Sequence, residues 1–218
     1  MFSKLPLSAP RDEGRSVYER ALGKDFADLQ PDLRTYFGSI PSGFEGAGFG
    51  TYSDAGLRLT ALKPLFAVLG LRHIAFPDYG EDVPFTVRNV PGSDGTLRAT
   101  RRFHFPHATR TMVDSMRVVD GRLVDLIGTA GEIEAEFELA VVDGRLCMVS
   151  RRLALRVLGI RFLLPRIMTV TLQEEMREDG TQRVELRVTT PLLGEIYGYA
   201  GTFRYALREV DSRATMTG

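Results

Sequence analysis

Hydrophobic and polar residues alternate along most of the chain after residue 83. In the segment EIEAEFELAVV, which begins at Glu132, four glutamates fall on one parity and the aliphatic and aromatic residues fall on the other. Successive side chains of a strand point to opposite faces, so this segment is predicted to be a β-strand with one face in water. Its apolar face must contact either a packed core or a cavity.

Nine strands of this kind are predicted between residues 83 and 207. Four Asp-Gly dipeptides, which supply the positive φ angles of tight hairpin turns, punctuate this region. The predicted strands are 85–90, 96–105, 109–119, 122–127, 132–142, 145–158, 168–178, 182–190 and 196–207. A long meander tends to close, because an open sheet leaves its edges exposed. The predicted fold class is α+β, mostly antiparallel β: a strongly curved sheet or β-barrel of about 8–10 strands with N-terminal helices packed on it.

The pattern before residue 83 is helical. Ser16 is a suitable N-cap for VYERAL, and Gly23 is a suitable stop. A second helix is predicted over residues 25–37, with Pro31 either disturbing it or opening a new helix.

Two further segments separate these helices from the strands. Residues 38–56 contain six glycines and one proline, which predict a flexible loop with a short strand at 48–52 as an option. Residues 59–71, LTALKPLFAVLGL, have apolar side chains at helical spacing and Lys63 as the only charge. This third helix is expected to be buried on most sides.

Charge, cysteine content and hydropathy narrow the class of protein. The 28 basic and 28 acidic residues balance, so no overall field attracts nucleic acid or an anionic membrane, and Arg101-Arg102 and Arg151-Arg152 are the candidates for a local basic patch. Cys147 stands alone, which excludes an intrachain disulfide and a multi-cysteine zinc site. There is no signal-peptide core and no apolar stretch of about 18 residues, so a cytoplasmic protein without a membrane span is expected.

Four segments carry a resemblance to a known family: VYERALGKDFADLQPDLRTYFG, GEDVPFTVRNVPGSDGTLRATRRFHF, LGIRFLLPRI and PLLGEIYGYAGTF. Over about residues 16–205 the chain resembles the bacterial family called domain of unknown function 4166. Such proteins occur alone or joined to an NADP-binding domain similar to saccharopine dehydrogenase, which has no counterpart in these segments, so no cofactor is predicted. They tend to carry tryptophan near Thr100 and Thr202, and this chain has none. The resemblance implies one domain and no particular reaction.

The division of the chain follows from these patterns. Residues 1–14 are expected to be a flexible leader, 15–210 a single β-rich domain with N-terminal helices, and 211–218 a flexible tail.

Charged residues on the apolar parity of strands are the candidates for chemistry. Arg101, Asp114, Glu174 and Glu195 each share a parity with hydrophobic neighbours. A buried charge must be paired or neutralised, so Arg101 with Glu174 or Asp114 would be an economical internal pair. The alternative is that a bulge flips the parity or that these residues sit at an open rim.

The proposed roles follow from residue type. Glu174 is the predicted acid or base, with a pKa raised by apolar neighbours. Arg101 would orient Glu174 or a substrate carbonyl, Tyr199 would donate a hydrogen bond to that oxygen, and Glu195 is the fourth catalytic candidate. The predicted ligand-binding residues are Met112, Asp114, Met116, Phe137, Met148, Leu172, Met176 and Tyr197. The three histidines lack metal-site spacing, so no metal is predicted.

The predicted function is binding of a bulky hydrophobic small molecule, polyketide-, terpenoid- or lipid-like, in a barrel cavity of a few hundred Å³. Cyclisation or isomerisation of that ligand without metal or nucleotide is the enzymatic interpretation. A non-catalytic carrier or sensor of an apolar ligand, and a protein-interaction module with a solid core, are the alternatives. The expected partner is the hydrophobic ligand and not nucleic acid, and the sequence leaves a homodimer open.

Overall fold

The computed structural model describes residues 14–210. The predicted leader lies outside them except for Gly14, and the predicted tail lies outside them altogether. The helices are α1 (Val17–Leu22), α2 (Pro31–Phe37) and α3 (Lys63–Leu71), with 3₁₀ helices at Gly23–Asp28 and Thr60–Leu62. The strands are β1 (Phe44–Leu57), β2 (Tyr79–Pro91), β3 (Leu97–Phe105), β4 (Ala108–Val119), β5 (Arg122–Ile127), β6 (Ile133–Val142), β7 (Arg145–Val157), β8 (Ile160–Leu163), β9 (Thr169–Met176), β10 (Gln182–Thr190) and β11 (Gly194–Glu209).

Ten of the eleven strands close into an antiparallel barrel. Strands β1 to β7 pair with one another in chain order. β7 then pairs with β9, β9 to β11 follow in order, and β11 pairs with β1 to close the circle. Within the described residues, β8 pairs with β7 alone and lies beside the barrel. Closure leaves the ten strands without a free edge. The predicted β-barrel is confirmed.

β1 is a 14-residue strand that contains the short strand offered at 48–52 and extends over residues predicted to be a flexible loop. That prediction was wrong because glycine was taken for a sign of flexibility. A Cβ atom on Gly50 would lie 2.1 Å from the carbonyl oxygen of Thr202, and one on Gly48 would lie 2.8 Å from Cγ1 of Val87. Glycine in this strand therefore permits the close approach of neighbouring strands.

The predicted start of α1 is confirmed. The Glu19 backbone N–H donates to Ser16 Oγ at 3.0 Å, and the Ser16 backbone N–H donates to Glu19 Oε2 at 2.6 Å, which together form a capping box. Gly23 follows α1 as its C-cap, and Pro31 begins α2 instead of interrupting a longer helix.

Different helices cover the two ends of the barrel. α1 and α2 cover one end, where Tyr18 donates to Met116 Sδ at 3.2 Å and Phe37 is buried beside it. α3 covers the other, where Phe66 stacks on Tyr197 with ring centroids 5.4 Å apart. These are called the α1–α2 end and the α3 end below. None of the helices within residues 14–210 is long and apolar enough to cross a membrane.

α3 is less buried than its sequence suggested. In this fully described helix only Phe66 is buried, while Leu65, Val68 and Leu71 are more than half exposed. The helix lies across the barrel end, so one narrow face meets the core and the rest of its apolar surface meets solvent.

Candidate functional site

Polar side chains occupy the barrel interior between the two helical covers. Asn89, Asp114, Asp125, Glu174 and Gln182 are all buried. The side chain of Arg101 is 17% exposed and joins them from β3. These residues come from six different strands, so the closed barrel, and no local motif, brings them together.

Arg101 and Asp114 form the central ion pair. They lie on adjacent strands, and Arg101 Nη1 donates to Asp114 Oδ1. Asp114 Oδ2 and Asp125 Oδ1 are buried without a hydrogen-bond partner among the described residues. Buried polar atoms are normally satisfied, so these two oxygens mark places where a water molecule or a ligand group would be stabilised.

One guanidinium group is not enough to neutralise three buried carboxyls. Burial raises the pKa of Asp114, although the Arg101 charge and hydrogen bond oppose the shift. Burial raises the pKa of Asp125 further, helped by the charge of Asp114. Burial disfavours the Arg101 cation, but the charge of Asp114 and the contributions of neighbouring tyrosines together outweigh this effect and raise the pKa of Arg101. We therefore assign the negative charge of the pair to Asp114 and a neutral form to Asp125.

Glu174 is the buried carboxyl with a pKa close to neutrality. Burial raises its pKa to about 7, while the Arg101 charge and a hydrogen bond from Gln182 Nε2 lower it. Glu174 lies on β9 and is only 6% exposed, as expected from its shared parity with apolar residues of that strand.

Tyr199 is also inside the barrel, as predicted from its parity. Its ring lies 4.8 Å from that of Tyr52 and 5.6 Å from that of Phe103, centroid to centroid. Burial raises its pKa to about 12. The phenol therefore keeps its proton at neutral pH and is available as a donor.

Glu195 does not join this cluster. The β10–β11 register shifts between Val188 and Thr189, so Ile196 and Tyr197 are both buried and Glu195 faces outward. Its carboxylate accepts from Arg58 at 2.8 Å and from Arg187 at 3.1 Å. The inward placement inferred from parity was wrong here, because a β-bulge inserts one residue and reverses the faces.

A surface cleft of about 360 Å³ reaches the polar cluster from the α1–α2 end. Its lining includes Tyr36 of α2, Met176 of β9, and Phe203 and Tyr205 of β11. Gln182 lines the same cleft and donates to Glu174. One amide side chain therefore separates the cleft from the buried carboxyl.

The predicted apolar lining is divided between two packed clusters. Met112, Tyr197 and Tyr199 belong to the cluster that extends to the α3 end, while Met116, Phe137 and Met148 belong to the one beneath α1 and α2. Leu172 packs against both clusters. Met176 reaches the cleft. Aromatic stacking, such as Tyr52 on Phe85 at 3.7 Å, fills space between the walls.

Three members of the site were missed in the sequence: Asn89, Asp125 and Gln182. Asn89 shares the apolar parity of Phe85 and Val87 on β2, so parity would have found it. Asp125 lies between Leu123 and Ile127 on the apolar parity of β5, so the rule that found Glu174 would also have found it. Gln182 is the first residue of β10, and a polar residue beside a turn gives no such signal. Within residues 14–210, no group of three or more His, Cys, Asp or Glu side chains is placed to hold a metal ion.

Comparison with known proteins places this barrel in a family. An uncharacterized protein of Bacillus subtilis (strain 168), YndH, is 26% identical over 208 residues, covering 89% of this chain and 98% of the relative. The family described as Domain of unknown function (DUF4166) matches residues 29–203, which run from the approach to α2 into β11 and include every member of the polar cluster. The chain belongs to the DUF4166 family.

Proposed function

We propose that the protein binds a hydrophobic small molecule carrying a carbonyl oxygen in the Gln182 cleft and isomerises or cyclises it, with Glu174 as acid and base. The observation that carries this proposal is the contact between Gln182, which lines the cleft, and Glu174, a buried carboxyl whose pKa is raised to about 7.

A carboxyl with this pKa suits proton transfer at neutral pH. Both of its protonation states are populated there, so it can take a proton from one carbon and return it to another. One placed acid or base typically contributes a factor of about 10² to 10⁴. Glu174 reaches a ligand when the Gln182 side chain turns aside, since the two are joined by one hydrogen bond.

The cleft suits a hydrophobic ligand that also carries polar groups, because Asp32 and Arg204 line it together with apolar side chains. Its volume of about 360 Å³ lies in the usual range of small-ligand sites, about 300–1,000 Å³. Met176 adapts its shape to irregular apolar surfaces. Three aromatic rings line the same space, those of Tyr36, Phe203 and Tyr205.

Binding is tested by blocking the cleft. Thr35 lines it and Arg34, the preceding residue of α2, does not, so Thr35→Trp and Arg34→Trp place the same indole on α2 with only the first obstructing the cleft. Oleic acid, farnesol and an anthraquinone serve as lipid-, terpenoid- and polyketide-like probes in thermal-shift and native mass spectrometry. We expect at least one probe to stabilise the wild type and Arg34→Trp but not Thr35→Trp. Equal responses of the two variants, or no response from any probe, would overturn the cleft assignment.

Catalysis is tested without knowing the product. A carbonyl analogue of the bound probe is incubated with protein in D₂O, and deuterium at its α-carbon is measured by mass spectrometry. Glu174→Gln preserves the shape of the side chain and removes its titration. We expect about tenfold slower exchange or worse, which corresponds to ~1.4 kcal/mol of transition-state stabilisation. Binding with no exchange by the wild type would favour the carrier or sensor instead.

A further inference from the structure

The β7–β8 hairpin exposes apolar side chains to solvent. Leu158 at its tip is 97% exposed, and four other hairpin residues are each more than two-fifths exposed: Val157, Ile160, Phe162 and Leu163. Ile167, in the segment after β8, is equally exposed. Large exposed apolar patches on a protein mark surfaces that bind another protein, a ligand or a membrane.

The turn of this hairpin departs from two others of the same shape. Asp120–Gly121, Asp143–Gly144 and Leu158–Gly159 each join paired strands by two residues with positive φ, near 50° and then between 75° and 80°. Asp and Asn tolerate the first position, whereas leucine is disfavoured there. Leucine at this position neither suits the turn nor packs, so folding does not account for it.

The hairpin is also strongly basic. Residues 151–166 contain five arginines and no acidic residue. Arg151 pairs with Glu138, while Arg156 and Arg161 share Glu134.

The other two arginines line a cleft beside the hairpin, which Glu138 also lines. Within the described part of the chain, Arg152 and Arg166 have no ion pair, and both line this cleft of about 400 Å³ beside Leu163 and Leu164. In a lipid monolayer the phosphates lie at the surface and the acyl chains lie beneath them. An apolar tip with cationic groups at its base can therefore insert among the acyl chains while the cations contact the phosphates.

Other exposed apolar residues lie at the same end of the barrel. β7 and β10 are both antiparallel to β9, so they run in the same direction, and both end at the α3 end. The β10–β11 turn there exposes Leu192 and Leu193, and α3 exposes Leu71. The exposed apolar residues of the hairpin, of this turn and of α3 therefore lie at one end of the barrel.

We propose that the α3 end docks on an anionic phospholipid membrane, with the Leu158 tip inserted among acyl chains and Arg152 and Arg166 on lipid phosphates. A second copy of the chain fits this surface poorly, because a two-fold contact would bring together two copies of residues 151–166, each with five arginines and no acidic residue. The Gln182 cleft opens at the opposite end, so this proposal does not rest on the proposed function.

The test is sedimentation with vesicles of phosphatidylcholine alone or mixed with phosphatidylserine. We expect binding to the mixed vesicles that weakens as salt is raised, since screening reduces the attraction. Leu158→Asp installs the Asp-Gly turn of the other two hairpins, so it should fold at least as stably in urea unfolding while binding about tenfold more weakly or worse. Val142→Asp is the matched control: Val142 is a half-exposed residue beside the Asp143–Gly144 turn at the opposite end, and its variant should bind like the wild type.

A second variant separates charge from insertion. Arg152→Gln with Arg166→Gln should abolish the preference for phosphatidylserine while leaving Leu158 in place. The proposal is overturned if the wild type does not bind mixed vesicles or if Leu158→Asp binds equally well. It is also overturned if ultracentrifugation finds a dimer that Leu158→Asp dissociates, since a second copy would then cover the surface.

Discussion

Arg101 and Glu174 project into the barrel from opposite walls. β3 and β9 are five strands apart in either direction around the ten-strand circle. Arg101 contacts Asp114 and Glu174 contacts Gln182, yet the Arg101 charge still lowers the pKa that burial raises. The cation and the titrating carboxyl are thus coupled through space, each held by a neighbouring side chain.

The first prediction concerns the pH dependence of stability. The pKa of Glu174 is about 7 in the folded state against an ordinary value of 4.5. Between these values the folded protein keeps a proton that the unfolded chain has released, so the free energy of unfolding falls as the pH rises through this window. The loss is about 3 kcal/mol once Glu174 is fully ionised, above about pH 7.

Glu174→Gln should remove this loss. Urea unfolding followed by circular dichroism should show the variant gaining about 3 kcal/mol relative to the wild type between about pH 4 and about pH 8. Glu178→Gln changes an exposed glutamate near the end of β9 and is the control. Parallel curves for Glu174→Gln and the wild type would show that folding does not raise the pKa of Glu174.

The second prediction compares two buried aspartates. Asp114 carries the charge that balances Arg101, so Asp114→Asn leaves a buried cation uncompensated and should lower the free energy of unfolding by about 3–5 kcal/mol at neutral pH. Asp125 is held neutral by burial and by Asp114, so Asp125→Asn should change it by less than about 1 kcal/mol. Chemical unfolding of the two variants in one buffer decides this. Equal losses, or a larger loss for Asp125→Asn, would reverse the assignment of charge.

The sequence sufficed for the strands whose two faces differ. β6 was found because four glutamates alternate with apolar residues, and the Asp-Gly turns fixed where its neighbours begin. Of β1 only residues 48–52 were offered as a strand, because its glycines have no side chains to alternate. β8 was missed because Leu158 occupies a turn position where the other short hairpins have Asp, and its exposed apolar residues resemble a buried segment.

The regularity of each strand also decides which residues of the site could be predicted from the sequence. Parity along regular strands placed Arg101, Asp114 and Glu174 inside, because each lies in an uninterrupted stretch of its strand. It failed for Glu195, where one extra residue in β11 reverses the faces and no local pattern announces it. The cleft beside Gln182 depends on how α2 meets β9 and β11, which is a matter of tertiary packing.

The third prediction concerns the attachment of α1 to α2. Ser16 Oγ accepts from the Glu19 backbone and donates to the Phe37 carbonyl oxygen at 2.5 Å, so one hydroxyl caps α1 and ties it to the end of α2. Ser16→Ala should lower the free energy of unfolding by about 1–2 kcal/mol. Ser16→Thr keeps the hydroxyl and should stay closer to the wild type in thermal unfolding. An alanine variant as stable as the wild type would mean that water replaces both bonds at no cost.

The last prediction uses two glycines in opposite surroundings. Gly50 lies where β1 and β11 approach so closely that a Cβ atom would be 2.1 Å from the Thr202 carbonyl oxygen and 2.6 Å from Cα of Phe203. These are backbone atoms that no side-chain rotation can move away, so Gly50→Ala must push two strands of the closed barrel apart. Overpacking of this kind costs about 1–3 kcal/mol.

Gly70 in α3 is the matched case. A Cβ there would make ordinary contacts, the nearest at 3.4 Å from the Ala75 carbonyl oxygen, and alanine stabilises a helix by about 0.5–1 kcal/mol relative to glycine. Gly70→Ala should therefore raise the midpoint of urea unfolding and Gly50→Ala should lower it. If both variants moved the midpoint in the same direction, glycine in β1 would reflect only backbone entropy, and the close approach of β1 to β11 would not be what excludes a side chain there.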